Sequence, residues 1–185
     1  MIDNKESTMR GLKKVSHLGF KPSEDGITHI NIHPKAKTVL GRELSHFVHA
    51  PFIHPYLGRF YSMEGFWYFM RSGQVDDRLR YQTGMRAKQL GKSLVSTWYE
   101  EFPQDILAAN YQKIIQNDKL FDKVILSYLP FDQYYTFGPA ATVVDSNVST
   151  WLVAGLESIR TALKNSEVPQ CWVDAERRYA GLNSP

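Results

Sequence analysis

The sequence predicts an α-rich α+β domain with a small β element, and three observations lead there. Short runs with β-branched residues at period two are confined to the front third, between Ile27 and Tyr61. From Ser62 onward apolar residues recur at helical spacing, down to a last helical piece ending at Tyr179. The chain of 185 residues, 43% hydrophobic and 22% charged, is one domain's worth of sequence with apolar content for one core.

The first 25 residues are polar and basic up to the turn formers Lys21 to Gly26, and read as an N-terminal arm before a single domain spanning 26–185. Ile27, His29, Asn31 and His33 alternate with Thr28, Ile30 and Ile32, a strand stopped by Pro34. Thr38-Val39-Leu40 before Gly41 predicts a second strand, and Pro51-Phe52-Ile53 with Arg59-Phe60-Tyr61 two more around a turn from Pro55 to Gly58.

Met63, Phe66, Trp67 and Met70 then fall at i, i+3, i+4 and i+7, with Ser62 in place to cap the free amides of a helix start. Tyr68 and Phe69 fill the other face, so this helix is expected to run through the middle of the molecule. A basic helix from Asp77 to Leu90, carrying Arg78, Arg80, Arg86 and Lys88, is expected to end at Gly91. Pro103 suits the first position of a helix over Gln104 to Gln116, striped by Ile106, Leu107, Tyr111 and Ile114. Asn117-Asp118 opens another helix through Val124 and Tyr128, stopped before Pro130. Phe131 to Asn147 reads as a long irregular loop whose aromatic content argues against disorder. Ser149 is expected to cap a helix with Leu152, Leu156, Ile159 and Leu163 on one side, and Asp174 to Tyr179 closes the chain as a short helix.

Composition excludes several classes. Cys171 is the only cysteine, so an intrachain disulfide or a thiolate zinc site is impossible and a cytoplasmic protein is expected. A net charge of +3 names no nucleic-acid partner by itself. No apolar run reaches the roughly 20 residues of a membrane span, so no membrane partner is expected.

Chemistry is carried by positions, because no Walker loop, dinucleotide fingerprint, zincin motif or nucleophile elbow occurs. Glu64 is the lone carboxylate at the start of the aromatic helix. The helix N-terminus favours its charged form, while apolar neighbours push its pKa up. Such a group suits proton acceptance or a developing cation; it also suits simple saturation of spare amides. All six histidines fall between His17 and His54, without the carboxylates or spacing of a metal site, so no metal is expected. Trp98 is either a stacking platform or a core ring. Asp132, in the aromatic loop, is either a turn former or the partner of Glu64 in a two-carboxylate site.

Taken in order, these positions resemble the NADAR family (YbiA-like domains) over about Leu44 to Arg160. Leu44-Ser45-His46-Phe47 followed by Ala50-Pro51-Phe52 looks like the family's opening element. Gly58 to Glu64 looks like its Gly-x-x-Tyr-x-x-Glu, and Ala87-Lys88-Gln89-Leu90-Gly91 like its Ala-Lys-x-x-Gly. Trp98, Lys113 to Asn117, Asp132 to Gly138 and Ser158-Ile159-Arg160 are similar to later pieces. Departures are Gly65 where the family has His, Arg71 where it has Lys, His46 for Asn, and Tyr135-Thr136 for Trp-Gly.

The resemblance implies hydrolysis of an N-glycosidic bond between ribose and a base or amine, in a nucleotide-like or ADP-ribosylated substrate. Glu64 would stabilise the ribosyl cation or activate water, and Asp132 would assist. Trp98 would stack on base or ribose, while Arg71 and Arg59 would hold phosphate and His46, Phe47 and Tyr135 would line the substrate site. No cofactor is implied. Because an arginine cannot replace a nucleophilic lysine, Gly65 and Arg71 also favour an alternative, a non-catalytic binder of nucleotide, ADP-ribose or nucleic acid.

Overall fold

The computed structural model describes residues 19–137, 142–145 and 149–182. A 3-10 turn at Pro22–Glu24 leads into β1 (Ile30–Asn31), α1 (Val39–Leu44), β2 (Phe52–His54) and β3 (Gly58–Phe60). Next come α2 (Met63–Arg71), a second 3-10 turn at Asp77–Tyr81, α3 (Gly84–Lys92), α4 (Phe102–Ile115) and α5 (Asp118–Leu126). Then β4 (Phe131–Asp132), β5 (Tyr134–Phe137) and β6 (Thr142–Asp145) precede α6 (Ser149–Lys164) and α7 (Gln170–Leu182). The chain is thus an α-rich α+β domain with few strands. Among the described residues no helix is long and apolar enough to cross a membrane.

The strands form separate pairs. β1 runs parallel to β4, with Ile30 opposite Phe131 and Asn31 opposite Asp132. β2 and β3 are an antiparallel hairpin with Phe52 opposite Phe60, and β5 and β6 are another with Tyr134 opposite Asp145. Two side-chain amides extend these short pairings. Gln116 Nε2 donates to the Ile53 carbonyl at 2.8 Å while its Oε1 accepts the Ile53 N–H at 2.7 Å. Asn31 treats Tyr134 in the same way on the other side of the molecule.

Helix α4 is the axis of the core, packing against α2, α5, α6 and α7 and burying Ile106, Ala108, Ala109 and Ile114. Helix α2 lies beside it rather than at the centre: Met63, Phe66, Phe69 and Met70 are buried, but Trp67, Tyr68 and Arg71 are partly exposed. Phe60 sits edge-on to Phe66 and Phe69, with ring centroids 4.9 and 5.2 Å apart, and Phe52 stacks on Phe60 at 5.8 Å. Burying each such ring contributes roughly 1.5–3 kcal/mol. The Arg80 guanidinium closes this layer from outside, 4.7 Å from the Phe60 ring and 4.2 Å from Phe69.

Several expectations are corrected. Thr38-Val39-Leu40 is the start of α1, where the Thr38 hydroxyl accepts the Gly41 N–H at 3.0 Å. Gly41 belongs inside that helix because a Cβ there would lie 2.2 Å from the Asn31 carbonyl oxygen. The basic helix is two elements, broken where Gln82 and Thr83 are extended and the Ser62 hydroxyl donates to the Gln82 carbonyl at 2.8 Å. Gly91 does not stop α3; it lies within it, where a Cβ would be 2.0 Å from the Tyr68 ring. The irregular loop holds β4, β5 and β6, and the final helix is the longer α7. The strand expected over 27–33 joins β4 only at Ile30 and Asn31, with an isolated bridge from His29 to Asp25, and the helix opened by Asn117 stops at Leu126.

At the front, Asp25 is buried, accepting the N–H groups of Asn31 at 3.0 Å and Lys37 at 2.7 Å. Residues 1–18 of the expected arm lie outside the described residues, as does the Ser149 side chain on which its expected capping role rests.

Candidate functional site

Ser62 starts the site. Its hydroxyl caps α2 by accepting the Gly65 N–H at 3.0 Å, which fixes Glu64 in the first turn. The Glu64 N–H donates to the His46 carbonyl at 2.9 Å, joining α2 to the segment after α1. The Glu64 carboxylate, in a residue 8% exposed, faces a cleft of about 740 Å³. Trp67 and Tyr68 follow on the same helix face, Phe47 and Tyr135 bring further rings, and Met85 and Lys88 close one side from α3.

Glu64 is the only carboxylate among the described residues lining the cleft, and it has no hydrogen-bond or ion-pair partner among them. Burial pushes it up to about 7, with the Lys88 ammonium pulling the other way. The Lys88 ammonium lies 5.6 Å from the Phe47 ring centroid. Burial, together with the Glu64 charge, pushes the Tyr68 phenol up to about 12 and also raises Tyr135. One carboxyl, two phenols and the ammonium groups of Lys35 and Lys88 therefore share the cleft.

Behind the wall, Lys113 is fully buried and donates to the Ser45 carbonyl at 3.1 Å. Burial drives its amine down to about 7. Burial and that neighbouring lysine hold His46 at about 3. Asn110 Nδ2, which donates to the Ile106 carbonyl at 2.9 Å, lies 3.3 Å from His46 Nε2. The neutral imidazole thus accepts at Nε2 and keeps its proton on Nδ1.

Of the sequence-predicted residues, the cleft gathers Glu64, His46, Phe47 and Tyr135. Trp98, Arg71, Arg59 and Asp132 do not line it. Trp98 is 54% exposed, packed 4.9 Å from Phe102 with the Arg71 guanidinium 5.4 Å from its ring. Arg71 has no acidic partner among the described residues, but its charge reaches the Tyr68 hydroxyl and so touches the cleft at one remove. Arg59 is exposed on β3 opposite Ile53.

Asp132 is 1% exposed; its Oδ1 accepts the Gln133 N–H at 2.8 Å and its Oδ2 has no partner among the described residues. It supports the strand that carries Gln133 rather than standing across the cleft from Glu64. The two-carboxylate arrangement is therefore not assembled.

Sequence reasoning missed Trp67, Tyr68, Lys88 and Gln133 as cleft residues. The signal for the first two was available, since positions three and four after Glu64 share its helix face. The histidines are dispersed: His29 Nε2 lies 2.7 Å from the Tyr134 hydroxyl, His33 is edge-on to Tyr135, and His54 is buried against Phe66. Among the described residues no group of three or more His, Cys, Asp and Glu could hold a metal ion. The departure at Gly65 has a steric basis, because a Cβ there would lie 2.3 Å from the Leu79 carbonyl oxygen.

The fold and site define an α+β domain with an acid-bearing aromatic cleft. No family model, no curated protein and no solved structure matches the chain.

Proposed function

We propose that the protein is a cytoplasmic N-glycosidase that cleaves the bond between ribose and a base or amine in a nucleotide-like or ADP-ribosylated substrate. The observation that carries this reading is the buried carboxylate of Glu64, the only one among the described lining residues and without a hydrogen-bond or ion-pair partner among the described residues, in a cleft walled by Phe47, Trp67, Tyr68 and Tyr135. Flat rings receive a planar leaving group, and the ammonium groups of Lys35 and Lys88 favour an anionic substrate.

With one carboxylate, the chemistry fits a dissociative route. The C1′–N bond breaks with its electron pair going to the base, leaving a ribosyl cation. The ionised Glu64 stabilises that cation and takes a proton from the water that adds to C1′; the departing base is protonated from solvent. A carboxyl titrating near 7 is part ionised at neutral pH and can return the proton afterwards. The resemblance to the NADAR family supports the same reaction class, with Asp132 now in a supporting place.

The second reading is a non-catalytic binder of nucleotide, ADP-ribose or nucleic acid in the same cleft, favoured by the lack of a second carboxylate among the described lining residues. The test is release of free base, followed by chromatography, from a panel of nucleoside monophosphates and ADP-ribosylated compounds. Glu64→Gln is expected to slow release by roughly a hundredfold or more. Saturable binding without release moves the protein to the second reading, and neither binding nor release overturns both.

A further inference from the structure

Gln133 sits in the wall of the cleft on the single residue between β4 and β5. Among the described residues its carboxamide has no partner at either end, and its Oε1 is sealed from water. Sealed amide oxygens are almost always paired in folded proteins, since leaving one unmet forfeits its hydration. Its backbone, by contrast, is held: the Gln133 N–H is taken by Asp132 Oδ1 at 2.8 Å, and Tyr134 next to it is pinned to Asn31. A rigid main chain thus holds an unpaired carboxamide beside Tyr135, at the edge of an aromatic slot, and a turn of the side chain brings its sealed Oε1 to a ligand.

We propose that Gln133 reads the leaving group, pairing its amide with a donor-plus-acceptor edge of a heterocyclic base lying between the aromatic walls. The inference rests on the nucleotide-like reading of the cleft. A carboxamide makes such bidentate contacts with an amino group beside a ring nitrogen. By rotating its terminal amide it serves equally a carbonyl beside a ring N–H. A purine ring without a six-position group keeps only the ring nitrogen, so one of the two contacts is lost. Gln133 is therefore a specificity residue, and Glu64 keeps the chemistry.

The experiment is calorimetric titration of the full chain with three 5′-monophosphates, those of adenosine, inosine and purine riboside, which differ only at the six-position edge. Wild type is expected to bind the first two at least roughly tenfold more tightly than the third. Gln133→Leu should bring all three to the weakest level with an unchanged thermal melt. Gln133→Glu, which keeps an acceptor and loses the donor, should weaken both the adenosine and the inosine compound, because each edge presents one donor and one acceptor. Equal binding of all three by wild type, or discrimination that survives Gln133→Leu, overturns the role of Gln133 alone. Binding of none of the three removes the nucleotide reading and this inference with it. Discrimination without any base release leaves Gln133 in place and removes only the hydrolysis.

Discussion

Asn31 and Tyr134 exchange two hydrogen bonds: Asn31 Nδ2 donates to the Tyr134 carbonyl at 3.3 Å and its Oδ1 accepts the Tyr134 N–H at 3.2 Å. The side chain acts as one more residue of strand, holding β5 at the end of the β1 and β4 pair. Both flanking cleft residues, Gln133 and Tyr135, depend on that hold. Asn31→Ala leaves two buried backbone groups of Tyr134 unpaired, and should cost roughly 2–4 kcal/mol in urea unfolding. It should also weaken ligand binding beyond what stability explains. A variant with wild-type stability would show that the pairing is dispensable.

Glu64 sets a pH dependence. In the unfolded chain it ionises near 4.5, and in the folded one near 7. Between those values the folded state holds the extra proton, so stability falls as pH rises through the window, and the cost is complete above pH 7. Glu64→Gln removes it, and should be more stable than wild type by roughly 2–3 kcal/mol at pH 8 but by little at pH 4. Catalysis by the ionised form predicts the opposite trend, base release rising with pH to a plateau above about 7. Thermal melts and rates on the same samples check both signs.

His54 opposes the acid side. Its ring is fully buried, and Nδ1 accepts the N–H groups of Tyr56 at 3.4 Å and Leu57 at 3.3 Å, which close the β2 to β3 turn. Burial lowers its pKa from 6.5 to about 4, so the unfolded chain takes up the proton first. Stability is then lost as pH falls through that window, by up to about 1.4 kcal/mol per pH unit for each such histidine. His46, held at about 3, adds to the slope. His54→Phe should flatten the dependence between pH 6.5 and 4; a slope unchanged in urea titrations at several pH values would assign the acid lability elsewhere.

Gly91 couples packing to the cleft. An alanine there improves helix propensity by about 1 kcal/mol, but its methyl would fall 2.0 Å from the ring of Tyr68. The contact wins: Gly91→Ala is expected to destabilise by about 1–3 kcal/mol and to displace Tyr68 into the cleft. Loss of ligand affinity together with a lowered melting temperature is the expected result, and a stabilised, fully binding variant would contradict it.

Legibility in the sequence followed how local each signal was. Ser62 and the spacing of Met63, Phe66 and Met70 announce α2 because cap and stripe lie within one segment. Gly41 and Gly91 read as stops, yet both are places where another chain segment comes too close for a side chain. That information resides in Asn31 and Tyr68, not in the neighbours of either glycine. The site divides in the same way. Glu64 was visible from its place at a helix start, whereas Lys88 and Gln133 reach the cleft from distant stretches and carry no local mark. Trp98 and Arg71, read separately as substrate-binding residues, are brought together by the fold, with the guanidinium over the indole and neither lining the cleft.

The parallel pairing of Ile30 with Phe131 also governs when the molecule becomes competent. It joins positions about a hundred residues apart, a high loop-closure cost that slows folding. The strands it aligns lead directly into His33 and Pro34 after β1 and Gln133 and Tyr135 after β4, which line the cleft together, with His33 edge-on to Tyr135. The cleft wall is thus incomplete until this contact closes. A cleft ligand therefore selects for completed molecules, and its binding rate during refolding would time the final step.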